Sequence, residues 1–172
     1  EIIVRSVGAD KDRITRLENH LMLFFTGIFR TAQDVASTYI TQIESRKNQL
    51  KQISLLVDKA VDILRGSESL DSFGELLHET WMQKRALSSS VSNKTIDNIY
   101  SSAREAGALG GKLLGAGAGG MFLLFVPPKK QPAVRDRLHD LIHVPFRFES
   151  QGSQIIFAET PHARLRHNES LP

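Results

Sequence analysis

Apolar positions along the chain change their period several times, and each change predicts an element. Residues 2–7 and 20–29 are dense in Ile, Val, Leu and Phe and flank the charged run Asp10-Lys11-Asp12-Arg13. This pattern predicts two strands joined by a loop. In the second, Leu21-Met22-Leu23-Phe24-Phe25 is apolar at every position, as in a strand buried on both faces. From Thr31 the spacing turns helical, with Val35, Tyr39, Ile40 and Ile43 three or four residues apart. It weakens over Ser45 to Asn48 and resumes through Leu50, Ile53, Val57, Val61 and Leu64, ending at Gly66. Two helices, or one with a break, are predicted there.

Ser69 or Asp71 can cap a third helix bearing Phe73, Leu76, Leu77 and Trp81. Ser92 or Asn93 can cap a fourth, bearing Ile96, Ile99, Tyr100 and Ala103 and closed by Gly107. The glycine-rich stretch from Ala108 and the apolar run Met121–Val126 predict two strands around a tight connection, stopped by Pro127-Pro128. A short amphipathic helix with Val134, Leu138 and Leu141 follows, then a hairpin of 145–150 and 154–159 around Gln151-Gly152. The order predicts one α+β domain over residues 1–160, an antiparallel sheet with helices on one face, and a tail over 161–172.

Composition narrows the classes. At 172 residues the chain can bury a core without covalent staples. It has no cysteine, so disulfides and thiolate metal sites are excluded, which agrees with a reducing cytoplasm. The 22 basic and 19 acidic residues are interleaved and leave a formal charge of +3, which argues against nucleic acid as a partner. Met121–Val126 is too short to span a bilayer and no signal-like segment opens the chain, so a soluble, cytoplasmic protein without a membrane partner is expected. The start at Glu1-Ile2-Ile3-Val4, already strand-like and without an initiator methionine, suggests a piece of a longer polypeptide.

Candidate chemistry concentrates in Gly110, Gly111, Gly115, Gly117, Gly119 and Gly120, six of the twelve glycines. Glycine tolerates positive φ and close approach to the main chain, and consecutive amides so arranged form a concave nest for anions. A phosphate-facing loop is one reading, and a tight hairpin packed against a helix is the other. Gly115, Gly117 and Gly120 fit G-x-G-x-x-G, but a strand follows where the dinucleotide fingerprint requires a helix. A Walker A loop fails too, because Leu113 follows Gly111-Lys112 and Ala106 stands at the first glycine position.

The run Gly110-Gly111-Lys112-Leu113-Leu114-Gly115-Ala116-Gly117-Ala118-Gly119-Gly120-Met121-Phe122 resembles the third signature motif of the GHMP kinases. The resemblance extends over residues 1–160 and implies a ferredoxin-like antiparallel sheet with additional helices. Leu23–Arg30 and Trp81–Ser88 are similar to the corresponding segments of the family's D-glycero-α-D-manno-heptose 7-phosphate kinases. What the resemblance implies is an ATP-dependent kinase using Mg²⁺ and acting on a sugar or sugar phosphate, with the phosphate loop, metal-binding acid and catalytic aspartate in a missing N-terminal domain. No match to those motifs occurs here, so no catalytic or metal residue is assigned and the chain alone is expected to be inactive. Gly111, Lys112, Gly115, Ala116, Gly117, Gly119 and Gly120 become the expected nucleotide and substrate loop. Ala118 stands where the family commonly has glycine and is expected at negative φ.

Arg30, Lys84 and Arg85 are candidate cations for the phosphate of the sugar, or else part of a solvated surface. His139 and His143 have the i, i+4 spacing of a zinc helix, but Asp140 replaces the glutamate, and a dipole role at a helix end is simpler. Ser88–Asn93 offers hydroxyls without a nearby base and reads as helix capping. From other classes, a non-catalytic ferredoxin-like module binding a phosphorylated ligand and regulating a partner remains, as does a helical assembly module over 31–107.

Overall fold

The computed structural model describes residues 3–4, 6–29, 44–115, 117–149 and 151–155. The expected helix from Thr31 to Ile43, Arg30, Ala116, the tail and most of the 154–159 strand lie outside the described residues.

The charged run near the start is a helix and not a loop. Helix α1, Lys11–His20, begins at Asp10, whose carboxylate accepts from the Asp12 amide at 2.7 Å. Arg13 and Leu17, four residues apart, form its buried face. The Arg13 guanidinium donates to the Ile63 carbonyl at 2.6 and 3.1 Å, so a charge from the expected loop serves to tie two helices together. Among residues 3–4 and 6–10 no strand forms, which corrects the expected strand over 2–7.

Strand β1, Leu21–Phe25, follows directly. A short 3₁₀ turn at Glu44–Arg46 leads into α2, Lys47–Arg65, which places the expected break near Ser45. Leu56 is its buried residue, while Val57, counted in the apolar face from sequence, is 59% exposed. Helices α3, Asp71–Arg85, and α4, Lys94–Glu105, precede strands β2, Gly110–Leu113, and β3, Met121–Phe125. Ser69 Oγ accepts from the Asp71 amide at 3.2 Å, and Asn93 caps α4 by accepting from Ile96 N at 3.0 Å. Gly107 closes α4 at φ 113°. Helix α5, Gln131–Arg137, and strand β4, Ile142–His143, complete the order. Residues 145–149 form no strand, so the second expected hairpin is replaced by the short edge strand β4.

The sheet order is β2-β3-β1-β4 with every pair antiparallel. Two crossovers, through α2–α4 and through α5, give the ferredoxin-like topology that the resemblance implied. Side chains alternate along β1 and β3: Met22, Phe24, Phe122 and Leu124 point into the main core with Trp81, Ile96, Tyr100, Val134 and Leu138. Phe125 points the other way, into a smaller cluster with Leu17, Leu70, Phe73 and Leu77. Helices therefore cover part of the second face as well, which modifies the expectation of helices on one face only. Leu21, Leu23 and Phe25 are half-buried, so β1 is fully buried on one face alone.

Helix α3 lies unusually close to β2. A Cβ on Gly110 would stand 1.8 Å from the Gly74 carbonyl oxygen, and one on Gly74 would stand 2.6 Å from the Phe125 ring. Two facing glycines let the helix backbone touch the strand, and this sets where the end of α3 meets the loop beyond β2.

Candidate functional site: the glycine loop and its supports

The β2–β3 connection, Leu114–Gly120, carries the glycine constellation. Gly115, Gly117, Ala118 and Gly120 have φ of 74°, 128°, 61° and 96°. Ala118 thus corrects the expectation of negative φ. A left-handed alanine is strained, and it persists because both its backbone groups are held: its amide donates to the Val91 carbonyl at 2.8 Å and its carbonyl accepts from Asn93 Nδ2 at 3.1 Å.

The glycines divide by what each permits. Gly115 and Gly120 need positive φ in open space, with nothing within 4 Å of an added Cβ. Gly111 and Gly119 need close approach: an added Cβ would lie 2.5 Å from the Leu123 carbonyl oxygen and 2.6 Å from that of Ile28. Gly117 needs both, since its Cβ would also meet the Val91 carbonyl oxygen at 2.7 Å. The loop is thereby pressed against neighbouring backbone on two sides. On the β1 side, the Thr26 amide and hydroxyl both donate to the Gly120 carbonyl, at 2.9 and 2.8 Å, while the Gly120 amide donates to Ile28 O at 2.9 Å. On the helical side stand Val91 and Asn93.

Lys84, at the end of α3, supplies a third support. Its ammonium donates to the Gly115 carbonyl at 2.6 Å and lies 3.4 Å from that of Leu113. Burial pushes its pKa below the ordinary lysine value, with a further push from the charge of Lys112. Arg85 pairs with Asp97 at 2.9 Å, and Asp97 also accepts from Ser92 Oγ at 2.6 Å. The two described cations expected to take a phosphate thus already have internal partners. Lys112 lines the groove between α2 and α3 beside Ile53, Leu76 and Thr80, near enough to Lys84 for its charge to act there.

The loop amides divide as the glycines do. Those of Leu114, Ala118 and Gly120 donate to Met121, Val91 and Ile28. Among the described residues, no backbone acceptor takes a hydrogen bond from the amides of Gly115, Gly117 or Gly119, and of these three residues only Gly115 is exposed while Gly117 and Gly119 are buried. Sequence reasoning missed Thr26, Val91 and Asn93 as supports. Asn93 carried a signal as a helix cap, but its second hydrogen bond joins residues 25 positions apart and has no local trace.

The histidines do not form a zinc helix. His139 is exposed after α5, whereas His143 sits on β4 against Phe24, so the two belong to different elements. Among the described residues no group of three or more His, Asp or Glu could hold a metal ion, and no helix is long and apolar enough to cross a membrane.

A profile of the family described as "GHMP kinases C terminal" matches residues 58–143. The chain is 32% identical over 125 residues to a D-glycero-alpha-D-manno-heptose 7-phosphate kinase of Campylobacter jejuni, covering 68% of this chain and 35% of that protein. It is 29% identical over 137 residues to the bifunctional fucokinase/GDP-fucose pyrophosphorylase of Arabidopsis thaliana, covering 77% of this chain and 13% of that one. The Streptococcus pneumoniae phosphomevalonate kinase in complex with phosphomevalonate and AMPPNP shares the fold, with a TM-score of 0.58, 15% identity and coverage of 72% and 39%. The chain therefore spans about a third or less of the length of these two sequence relatives.

Proposed function

Because the chain belongs to the GHMP kinase family, whose C-terminal domain it carries, we propose that it is the C-terminal part of an ATP-dependent sugar kinase acting on D-glycero-α-D-manno-heptose 7-phosphate. The observation that carries this reading is the glycine loop, anchored at three places, with Gly115 exposed at its start. Phosphoryl transfer asks little covalent chemistry of a protein; it asks that donor and acceptor be positioned and that phosphate charge be met by fixed dipoles. The exposed amide of Gly115 fits the second task, and the anchoring of the loop around it limits the reorganisation needed as charge develops.

In the reaction, an acceptor hydroxyl oxygen forms a bond to the γ-phosphorus of ATP as the bond to the β,γ-bridging oxygen breaks, leaving ADP. The hydroxyl proton passes to a base. The reading assigns that base and the Mg²⁺ ligands to an N-terminal domain; among the described residues no group of three or more His, Asp or Glu could hold a metal ion. The loop would buttress the phosphate loop of that domain and border the acceptor. Similarity to a heptose 7-phosphate kinase and a fucokinase supports a sugar as the acceptor class.

The test is ADP formation from Mg-ATP by the natural full-length protein, offered heptose 7-phosphate, fucose and mevalonate in parallel, with the present chain assayed alone. Preferred turnover of heptose 7-phosphate by the full-length protein only is expected. Preference for fucose or mevalonate would overturn the heptose assignment, turnover by the present chain alone would overturn the division of labour, and no turnover of any acceptor would overturn the kinase reading.

A further inference from the structure

Beside the glycine loop lies a second cleft, of about 500 Å³, lined by Met82 and Arg85 of α3, by Ser88, Ser89 and Ser92 of the following segment, and by Asp97 of α4. We propose that this cleft binds the neutral polyol part of the sugar acceptor through Arg85 and Asp97, a reading that rests on the sugar-kinase assignment above.

The chemistry of the pair selects the ligand. Arg85 Nη2 and Asp97 Oδ2 are 2.9 Å apart, with side chains 33% and 38% exposed, so both reach the cleft. Among the described residues, Nη1 of Arg85 makes only a 3.9 Å contact with Met82 Sδ, leaving guanidinium donors open. Asp97 accepts from Ser92 through Oδ1 and retains further lone pairs. A donor fork beside an acceptor carboxylate matches a vicinal diol, because each sugar hydroxyl donates once and accepts as well. A phosphate fits poorly: the carboxylate that neutralises Arg85 would repel it at nearly the same distance. The Met82 side chain offers an apolar surface for the C–H face of a sugar ring.

Position links the cleft to the loop. Ser92 lines the cleft, and its two neighbours, Val91 and Asn93, hold the amide and the carbonyl of Ala118. Lys84, adjacent to Arg85, holds Gly115. The wall of the cleft and the support of the loop are thus the same short segments, so a polyol seated at Arg85–Asp97 is oriented with respect to the loop that borders the transferred phosphate.

The experiment uses the natural full-length protein and two probes without nucleotide, unphosphorylated D-glycero-D-manno-heptose and inorganic phosphate, each titrated by calorimetry or saturation-transfer NMR. Arg85→Met and Asp97→Asn are each expected to weaken heptose binding about tenfold, the loss of one charge-assisted hydrogen bond, and to raise the acceptor KM similarly while leaving the KM for ATP unchanged. An unaltered affinity for an ATP analogue reports intact folding, and Ser92→Ala provides a milder variant with the same expected direction. Absence of heptose binding by the wild type, or binding indifferent to both Arg85→Met and Asp97→Asn, would overturn the proposal. So would tighter phosphate binding in Asp97→Asn with its loss in Arg85→Met, the pattern of an anion site. Heptose binding at the cleft without ATP-dependent transfer to any acceptor would instead defeat the kinase reading and leave the cleft assignment standing.

Discussion

Gly115 and Gly117 stand two residues apart in the same loop, and the structure separates what alanine would do at each. At Gly115, φ is 74° and an added Cβ meets nothing within 4 Å, so Gly115→Ala should cost only the left-handed penalty, about 1–2 kcal/mol, less a few tenths regained from the stiffer unfolded chain. At Gly117, φ is 128° and the new Cβ would lie 2.7 Å from the Val91 carbonyl oxygen and 3.0 Å from its Cα. Backbone cannot swing aside as a flexible side chain can. Overpacking of about 1–3 kcal/mol is then added to the strain, and displacement of Val91 weakens its bond to the Ala118 amide by about 1 kcal/mol. The sum for Gly117→Ala is about 3–6 kcal/mol, at least twice the effect at Gly115. Urea unfolding of both variants and wild type, followed by circular dichroism and by transfer rate in the full-length protein, checks this. Equal losses at the two positions, or a Gly117→Ala loss below about 1 kcal/mol, would refute the claim that Val91 and the loop are packed backbone to backbone.

Asn93 should show two separable roles. Asn93→Ala removes the cap and the bond to Ala118, for a combined loss of about 1.5–3 kcal/mol, whereas Asn93→Asp keeps the cap and loses only the donor; equal losses in denaturant unfolding would refute the second role. His78 predicts a pH dependence. Its Nδ1 lies 2.6 Å from the Tyr100 hydroxyl, whose pKa is pushed up to about 12 by burial, so the phenol stays protonated and donates while the imidazole is neutral. Burial, then the Arg104 charge, holds the His78 pKa below its ordinary value. The unfolded chain therefore binds the proton more readily, and stability intact above about pH 6.5 declines as pH falls through that value. Melting temperatures between about pH 7.5 and 5 should drop less in His78→Gln than in wild type, with His143, lowered likewise by burial, leaving a residual slope. Identical slopes would refute the assignment.

The sequence by itself determined the elements whose signals are local. The helical spacing through Leu64, the cap at Asn93, the stop at Gly107 and the apolar run of β3 all rest on neighbours within a turn or a strand. It failed at α1, where Asp10-Lys11-Asp12-Arg13 looked like a loop because that short helix has only two apolar residues, Ile14 and Leu17, of which Leu17 alone is buried. The glycine cluster was legible as a place needing unusual backbone, but not which glycine needed positive φ and which needed contact. That depends on Val91, Ile28 and Leu123, remote in sequence, and only the tertiary structure brings them to the loop. The same holds for the cations. Lys84 and Arg85 are adjacent and alike in sequence, yet the close seat of α3 on β2 turns one ammonium onto the Gly115 carbonyl and leaves the neighbouring guanidinium to Asp97 and the cleft. Charge type is written in the sequence; a charge's partner is decided by packing between segments far apart along the chain, because hydrogen bonds act over about 3 Å.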